Sequence, residues 1–216
     1  MTVSNSATDI VNLALDVIKT ENINDVEIPG DDKAAAVANR WYDDVRQATL
    51  EGFPWVFACT RSAIPLNAAA PDFGFDDAYV LPNNYLSLNF IKYWDFPLSK
   101  WNYVIEDGNL YIDNSGAESL NIGYTFDQTV TVKYSPAFKM YLAYSLAEKI
   151  VYKLTGNAGL LGRITTGRKT EQVNAKAVNG KVNPPVAYRQ SKLLEGRRVY
   201  GGSTITGRYA GQNGRT

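Results

Sequence analysis

At 216 residues, with 45% apolar, 20% charged and 12% aromatic side chains, the chain is long enough to bury a hydrophobic core without disulfides or metals as staples. One cysteine, Cys59, and no histidine exclude an internal disulfide, a zinc site built on sulfur or imidazole, and every Ser-His or Cys-His nucleophile. The formal net charge of zero hides a division: residues 1–155 hold 11 basic and 20 acidic side chains, a net of −9, while residues 156–216 hold 11 basic and 2 acidic, a net of +9. A basic end of this kind meets nucleic acid, an acidic partner, or the acidic part of another copy of the chain.

The opening stretch MTVSNSATDIVNLALDVIK lacks a basic run, and Asp9, Asn12 and Asp16 interrupt its apolar residues. This argues against a signal peptide, and no window approaches the ~18 consecutive apolar residues of a membrane span. A soluble protein made in a cytoplasm, with Cys59 reduced, is the expectation.

Ile10, Leu13, Ala14, Val17 and Ile18 fall on one helical face, which predicts a first helix over 6–19 with a Ser6/Asp9 capping box. The stretch TENINDVEIPGDD reads as a linker, with Asp31 or Asp32 as the next cap. A second helix is expected over 33–50, with Ala34, Ala38, Trp41, Val45 and Ala48 on its buried stripe, a left-handed Gly52 as its end, and Pro54 forbidding continuation.

From about 56 to 134 the pattern changes to strands: AYVLP, YLSLNFIKYW, NYVIE, NLYID and LNIGYTF. Asp107-Gly108 between two of them supplies the positive φ values of a two-residue hairpin turn. A third helix starts at Ser135-Pro136 and keeps Phe138, Tyr141, Leu142, Leu146, Ile150 and Leu154 on one face up to Gly156; a more polar fourth helix is expected over about 157–178. Paired prolines and many glycines follow, with few large apolar residues after Tyr200, so this tail is expected to order only against a partner.

The expected fold is thus α+β, a four-helix bundle with an inserted small antiparallel β domain and an extended C-terminal tail. Residues 1–55 give two helices, 56–134 the β domain, 135–178 two further helices, and 179–216 the basic tail.

Chemistry is sparse. The carboxylate pairs Asp31-Asp32, Asp43-Asp44 and Asp76-Asp77 are adjacent in sequence, and neighbours on a helix point about 100° apart, so no pair alone makes the facing carboxyls of a glycan hydrolase. The stretch GNAGLLGRITTGRK lacks the Gly-Lys-Ser/Thr core of a phosphate loop. No cofactor or metal site is expected. Basic residues interleaved with Tyr188, Tyr200 and Tyr209 suit DNA binding through the tail. The 14 tyrosines, 4 tryptophans and opposite charges at the two ends suit a structural subunit that completes its fold in an assembly. Together these outweigh the catalytic case.

Five segments in order carry a resemblance: ATDIVNLALDVIKTENINDVE, DDKAAAVANRWYDDVRQATLEGFPWVFA, DDAYVLPNNYLSLNFI, YVIEDGNLYID and SPAFKMYLAYSLAEKIVYKLTG. Over roughly residues 7–178 the chain resembles the head-to-tail adaptor family of short-tailed bacteriophages, also called tail tubular protein A. The most specific pieces are Gly52 followed by Trp55 and Phe57, and the LPNNYLSL strand. The resemblance implies a structural, non-enzymatic homo-oligomer, usually a ring of twelve copies, in the neck of the virion. Its partners there are the portal protein and the tail nozzle protein, with tail fibres as further candidates, and double-stranded DNA passes through without specific binding. It also implies that Arg189, Lys192, Arg197, Arg198, Tyr200 and Arg208 face the portal or a neighbouring subunit. Phe53, Trp55 and Phe57, with Trp41 on the helical stripe before them, are expected to form a plug where the chain leaves the helices for the β domain. The family commonly ends its first helix with glycine, where this chain has Lys19-Thr20.

Overall fold

The computed structural model describes residues 6–68, 71, 73–91, 102–113 and 116–182. In chain order these form α1 (Ala7–Ile18), α2 (Lys33–Glu51), β1 (Cys59–Pro65), β2 (Asp77–Val80), β3 (Tyr85–Ile91), β4 (Tyr103–Glu106), β5 (Asn109–Ile112), β6 (Ser119–Phe126), α3 (Pro136–Thr155) and α4 (Ala158–Val182). The fold is mixed: four helices and two small antiparallel sheets of three strands each, ordered β1-β6-β3 and β2-β5-β4.

Helix ends follow local chemistry. Ser6 and Asp9 complete a reciprocal capping box, Asp32 accepts from the Ala34 and Ala35 N–H groups, and Ser135 accepts from Phe138 N–H with Pro136 behind it. Helix α1 closes on a left-handed Lys19, at φ 60°. Its N–H donates to Asp16 O and that of Thr20 to Leu15 O, the two bonds of a Schellman motif made without glycine. Gly52, expected to be left-handed, stays right-handed at φ −66°. The Trp55 indole donates to the Thr49 carbonyl, which meets one of the last-turn acceptors that a left-handed turn would otherwise serve.

Helix α3 is the hub of the helical part, with α1, α2 and α4 each packed on it. Phe138, Leu142, Ala143, Leu146, Ala147, Ile150 and Val151 are fully enclosed, so this helix is apolar around most of its circumference. The stripe that α2 buries is rotated from the expected one: it runs Ala35, Ala38, Tyr42, Val45, Arg46, Thr49 and Leu50. The expected linker is part of the core, with Ile23 and Val26 buried. Asn12 of α1 bonds both the N–H and the carbonyl of Ile23, and Asn39 of α2 donates to the Val26 carbonyl. Helix α4 buries only Ile164 and Ala175. It approaches α3 at Gly167, where a Cβ would fall 2.5 Å from the Tyr144 ring. It also runs on to Val182, past the expected boundary at 178.

The strands lie between α2 and α3 in the chain, and their own apolar cluster includes Ile64, Tyr79, Ile91, Leu110, Ile112, Leu120 and Ile122. Asp107 and Gly108 both take positive φ, 44° and 72°, and close the β4–β5 hairpin with Glu106 opposite Asn109. Two features depart from the sequence pattern. The strands of the expected β domain form two sheets, because β6 pairs with β1 and β3 while the hairpin takes β2. Strand β1 has no counterpart among the expected strands; Ile64 is its only buried residue, and its register comes from pairing along the whole of β6.

A lysine in the left-handed region costs about 1–2 kcal/mol that glycine avoids. Lys19→Gly is therefore expected to raise stability by about 1 kcal/mol, seen as a higher urea midpoint at unchanged slope. A lower midpoint would mean the lysine side chain contributes more than the strain costs.

Candidate functional site

Trp55 is fully buried where α2 gives way to the strands. Its ring packs edge-on against Phe53 and Phe138, with centroids 4.9 Å away in both cases, and Phe57 and Tyr141 lie at 6.2 and 6.1 Å. Phe57 and Tyr134 extend the cluster onto Phe138, at 4.8 and 5.0 Å. Edge-to-face pairs of this kind each add about 0.5–1.5 kcal/mol beyond burial. The far end of α4 closes the plug from outside. Asn179 accepts from Val56 N–H and donates to the Pro54 carbonyl, and the Lys176 ammonium sits 5.1 Å from the Phe53 ring centroid.

Beside the plug lies a charged clamp that the sequence pattern did not reveal. Arg46, 4% exposed, spends all five of its N–H donors. Nε and one Nη2 proton go to Asp43, the other Nη2 proton and one Nη1 proton to Asp127, and the last to the Gln128 carbonyl. Gln47 donates to Asp127 as well. The Tyr134 hydroxyl also donates to the Gln128 carbonyl, while the Gln128 amide spans from the Phe57 carbonyl to Val130 N–H. Burial alone would lower the Arg46 pKa, but the hydrogen bonds and charges of Asp127 and Asp43 outweigh it, and the guanidinium is held above its ordinary value. The clamp joins the middle of α2 to the two residues that follow β6.

Phe53, Trp55 and Phe57 are thus together at the junction. Trp41 is not: it is 38% exposed on α2. It lines a groove of about 460 Å³ with Asp44, Tyr141, Glu148, Lys149 and Arg168. One residue of rotation explains the difference, since Tyr42 takes the inward position that the expected stripe gave to Trp41. Arg189, Lys192, Arg197, Arg198, Tyr200 and Arg208 lie outside the described residues. Asn179, the expected start of the tail, belongs to α4 and bonds the junction. In sequence, Asp43 and Arg46 read only as a surface pair at i,i+3; the partner that buries Arg46 is 81 residues away.

The carboxylate pairs do structural work. Asp32 caps α2, Asp43 holds Arg46, Asp77 accepts from Gly116 N–H, and Asp76 N–H donates to Asp113. Among the described residues no group of three or more cysteines, aspartates or glutamates is placed to hold a metal ion, and no helix is long and apolar enough to cross a membrane. No protein-family model and no curated protein matches the chain.

Trp55→Ala is expected to destabilise by about 3–5 kcal/mol, since it empties the centre of the plug and frees the Thr49 carbonyl. Arg46→Met should cost about 3 kcal/mol by leaving Asp127 without its cation; chemical denaturation measures both, and a change under about 1 kcal/mol would remove either residue from the junction. Alkaline pH offers a third check. Burial pushes Tyr134, and Tyr85 beside the β-sheet cluster, up to about 12, with the Arg46 charge opposing the rise at Tyr134. The unfolded chain loses these protons near pH 10, so stability is complete below about pH 10 and declines as pH rises toward about 12. A flat profile across that window would contradict the burial of both hydroxyls.

Proposed function

We propose that the chain is a structural, non-enzymatic subunit of a head-to-tail adaptor ring in a bacteriophage virion. The ring docks on the portal protein, offers a surface to the tail nozzle protein and extends the channel through which DNA passes. In this proposal the four helices form the bundle of the ring wall, and the strands form a domain inserted into it. The basic tail, with Arg189, Lys192, Arg197, Arg198, Tyr200 and Arg208, faces the portal or a neighbouring subunit.

The junction around Trp55 and Arg46 carries this reading. A ring repeats one subunit geometry at every position, and a closed ring tolerates little variation in the angle between a subunit's parts. The aromatic plug and the saturated guanidinium both act at the point where that angle is set. The order of the five sequence segments supports the same reading, as does the division into an acidic part and a basic part, which suits a head-to-tail contact between copies. The residues at the junction are hydrogen-bonded and packed rather than poised as acid, base or nucleophile.

Electron microscopy of the purified protein, alone and mixed with portal protein, tests the proposal: rings are expected, alone or on the portal. A chain ending at Val182 should keep the helical circular dichroism of the full chain and fail to dock on the portal. Docking equal to the full chain would overturn the role of the tail. Salt-dependent affinity for duplex DNA that disappears with the tail, in a protein that forms no ring, would favour DNA binding instead.

A further inference from the structure

The clamp has a second face. Next to Arg46, between the start of α1, the turn at residues 26–27 and α2, lies a cavity of about 160 Å³ whose polar lining is Glu27, Asn39, Tyr42, Asp43, Arg46 and Thr129. Its one cationic group is already saturated. All five N–H groups of Arg46 are engaged, and the Asn39 amide donates to the Val26 carbonyl at 2.7 Å. The charged groups that remain are acceptors, the Asp43 carboxylate, which is exposed on its outer side, and the exposed Glu27 carboxylate, and the Asn39 carbonyl oxygen lies with them. Tyr42 is 8% exposed, and its hydroxyl is enclosed with no hydrogen-bond partner among the described residues. A buried hydroxyl in that state is unfavourable, and a donor entering the cavity would relieve it. An anion would meet the Asp43 and Glu27 carboxylates there, whereas a cation with several N–H donors finds acceptors on several sides.

Unpaired cations are present on the same chain. Of the basic side chains on α4, Arg168 pairs with Glu148 at 2.7 Å, while Arg163, Lys169 and Lys181 are exposed and have no carboxylate partner among the described residues. Helix α4 packs on α3, and the cavity opens beside α1 and α2. Acceptor cavity and unpaired cations are therefore complementary features of different elements, the arrangement a heterologous contact requires.

We propose that this cavity receives the ammonium or guanidinium end of a basic α4 side chain from a second copy of the chain. The source of the cation rests on the ring reading; the acceptor character of the cavity does not.

Self-association of the full-length chain, followed by sedimentation velocity over a concentration series with and without portal protein, tests it. Glu27→Lys is expected to weaken association about tenfold or more with an unchanged melting temperature, since Glu27 is exposed. One of Arg163→Glu, Lys169→Glu and Lys181→Glu should weaken it alone and restore it when combined with Glu27→Lys. Tyr42→Phe should weaken association without the rescue. Association that survives Glu27→Lys, or that no reversal restores, overturns the cavity as the contact while leaving the ring intact. A wild-type chain that stays monomeric with and without portal overturns the ring reading itself, and with it the second copy as occupant.

Discussion

A buried guanidinium is tolerable only when every N–H has an acceptor, and Arg46 meets that condition through three residues from two places in the chain. Asp43 lies one turn away on α2, and Asp127 and the Gln128 carbonyl follow directly on β6. The requirement works as a geometric constraint. The end of β6 cannot shift against α2 by much more than a hydrogen-bond length without leaving a buried charge short of acceptors. Because β6 is the central strand of its sheet, β1 and β3 follow it, and Gln128 passes the constraint on to the Phe57 carbonyl and the Tyr134 hydroxyl.

The clamp and the aromatic plug divide the task. Removing several large rings from water stabilises strongly and without direction, and a plug of that kind can repack at modest cost. A fully paired buried ion cluster contributes little net stability compared with apolar replacement of all its members together, but it penalises every misaligned arrangement. The plug thus favours closure of the helices onto the start of the strands, and the clamp selects one closure among many. Asn179 adds a third tie, since its amide reads two backbone groups of the turn that contains Trp55 and Val56.

Helix starts, the third helix with its end at Gly156 and the hairpin at Asp107-Gly108 were legible because each is written within four or five neighbouring residues. Features decided by distant partners were not. The α2 stripe read from apolar spacing shares Ala38 and Val45 with the stripe observed, and it differs in choosing Trp41 over Tyr42. Adjacent aromatic residues on a helix lie only about 100° apart, and the choice falls to Tyr42 because Arg46, four residues on, must also point inward to reach Asp127. Strand β1 escaped notice for a related reason: its sequence, CTRSAIP, has no apolar alternation and it buries only Ile64, so its existence depends on β6. Lys19 shows the converse limit. The backbone takes the left-handed turn that glycine would favour, because Ile23 and Val26 must return to the core and Asn12 holds the returning segment.

Helix α4 is the element least explained by apolar burial. With two buried residues it has too little apolar surface to be held on α3 by area alone. Specific contacts hold it instead: the Tyr144 ring against Gly167, Glu148 meeting both Arg168 and the Thr165 hydroxyl, and Asn179 at the junction. Each contact is short-ranged and leaves the outer face of the helix free of structural duty. That face can then be basic without penalty to the fold. The charge division falls near Gly156: before it Asp9 and Asp32 cap helices and Asp43 and Asp127 hold Arg46, and after it Arg163, Lys169 and Lys181 of α4 are exposed with no carboxylate partner among the described residues.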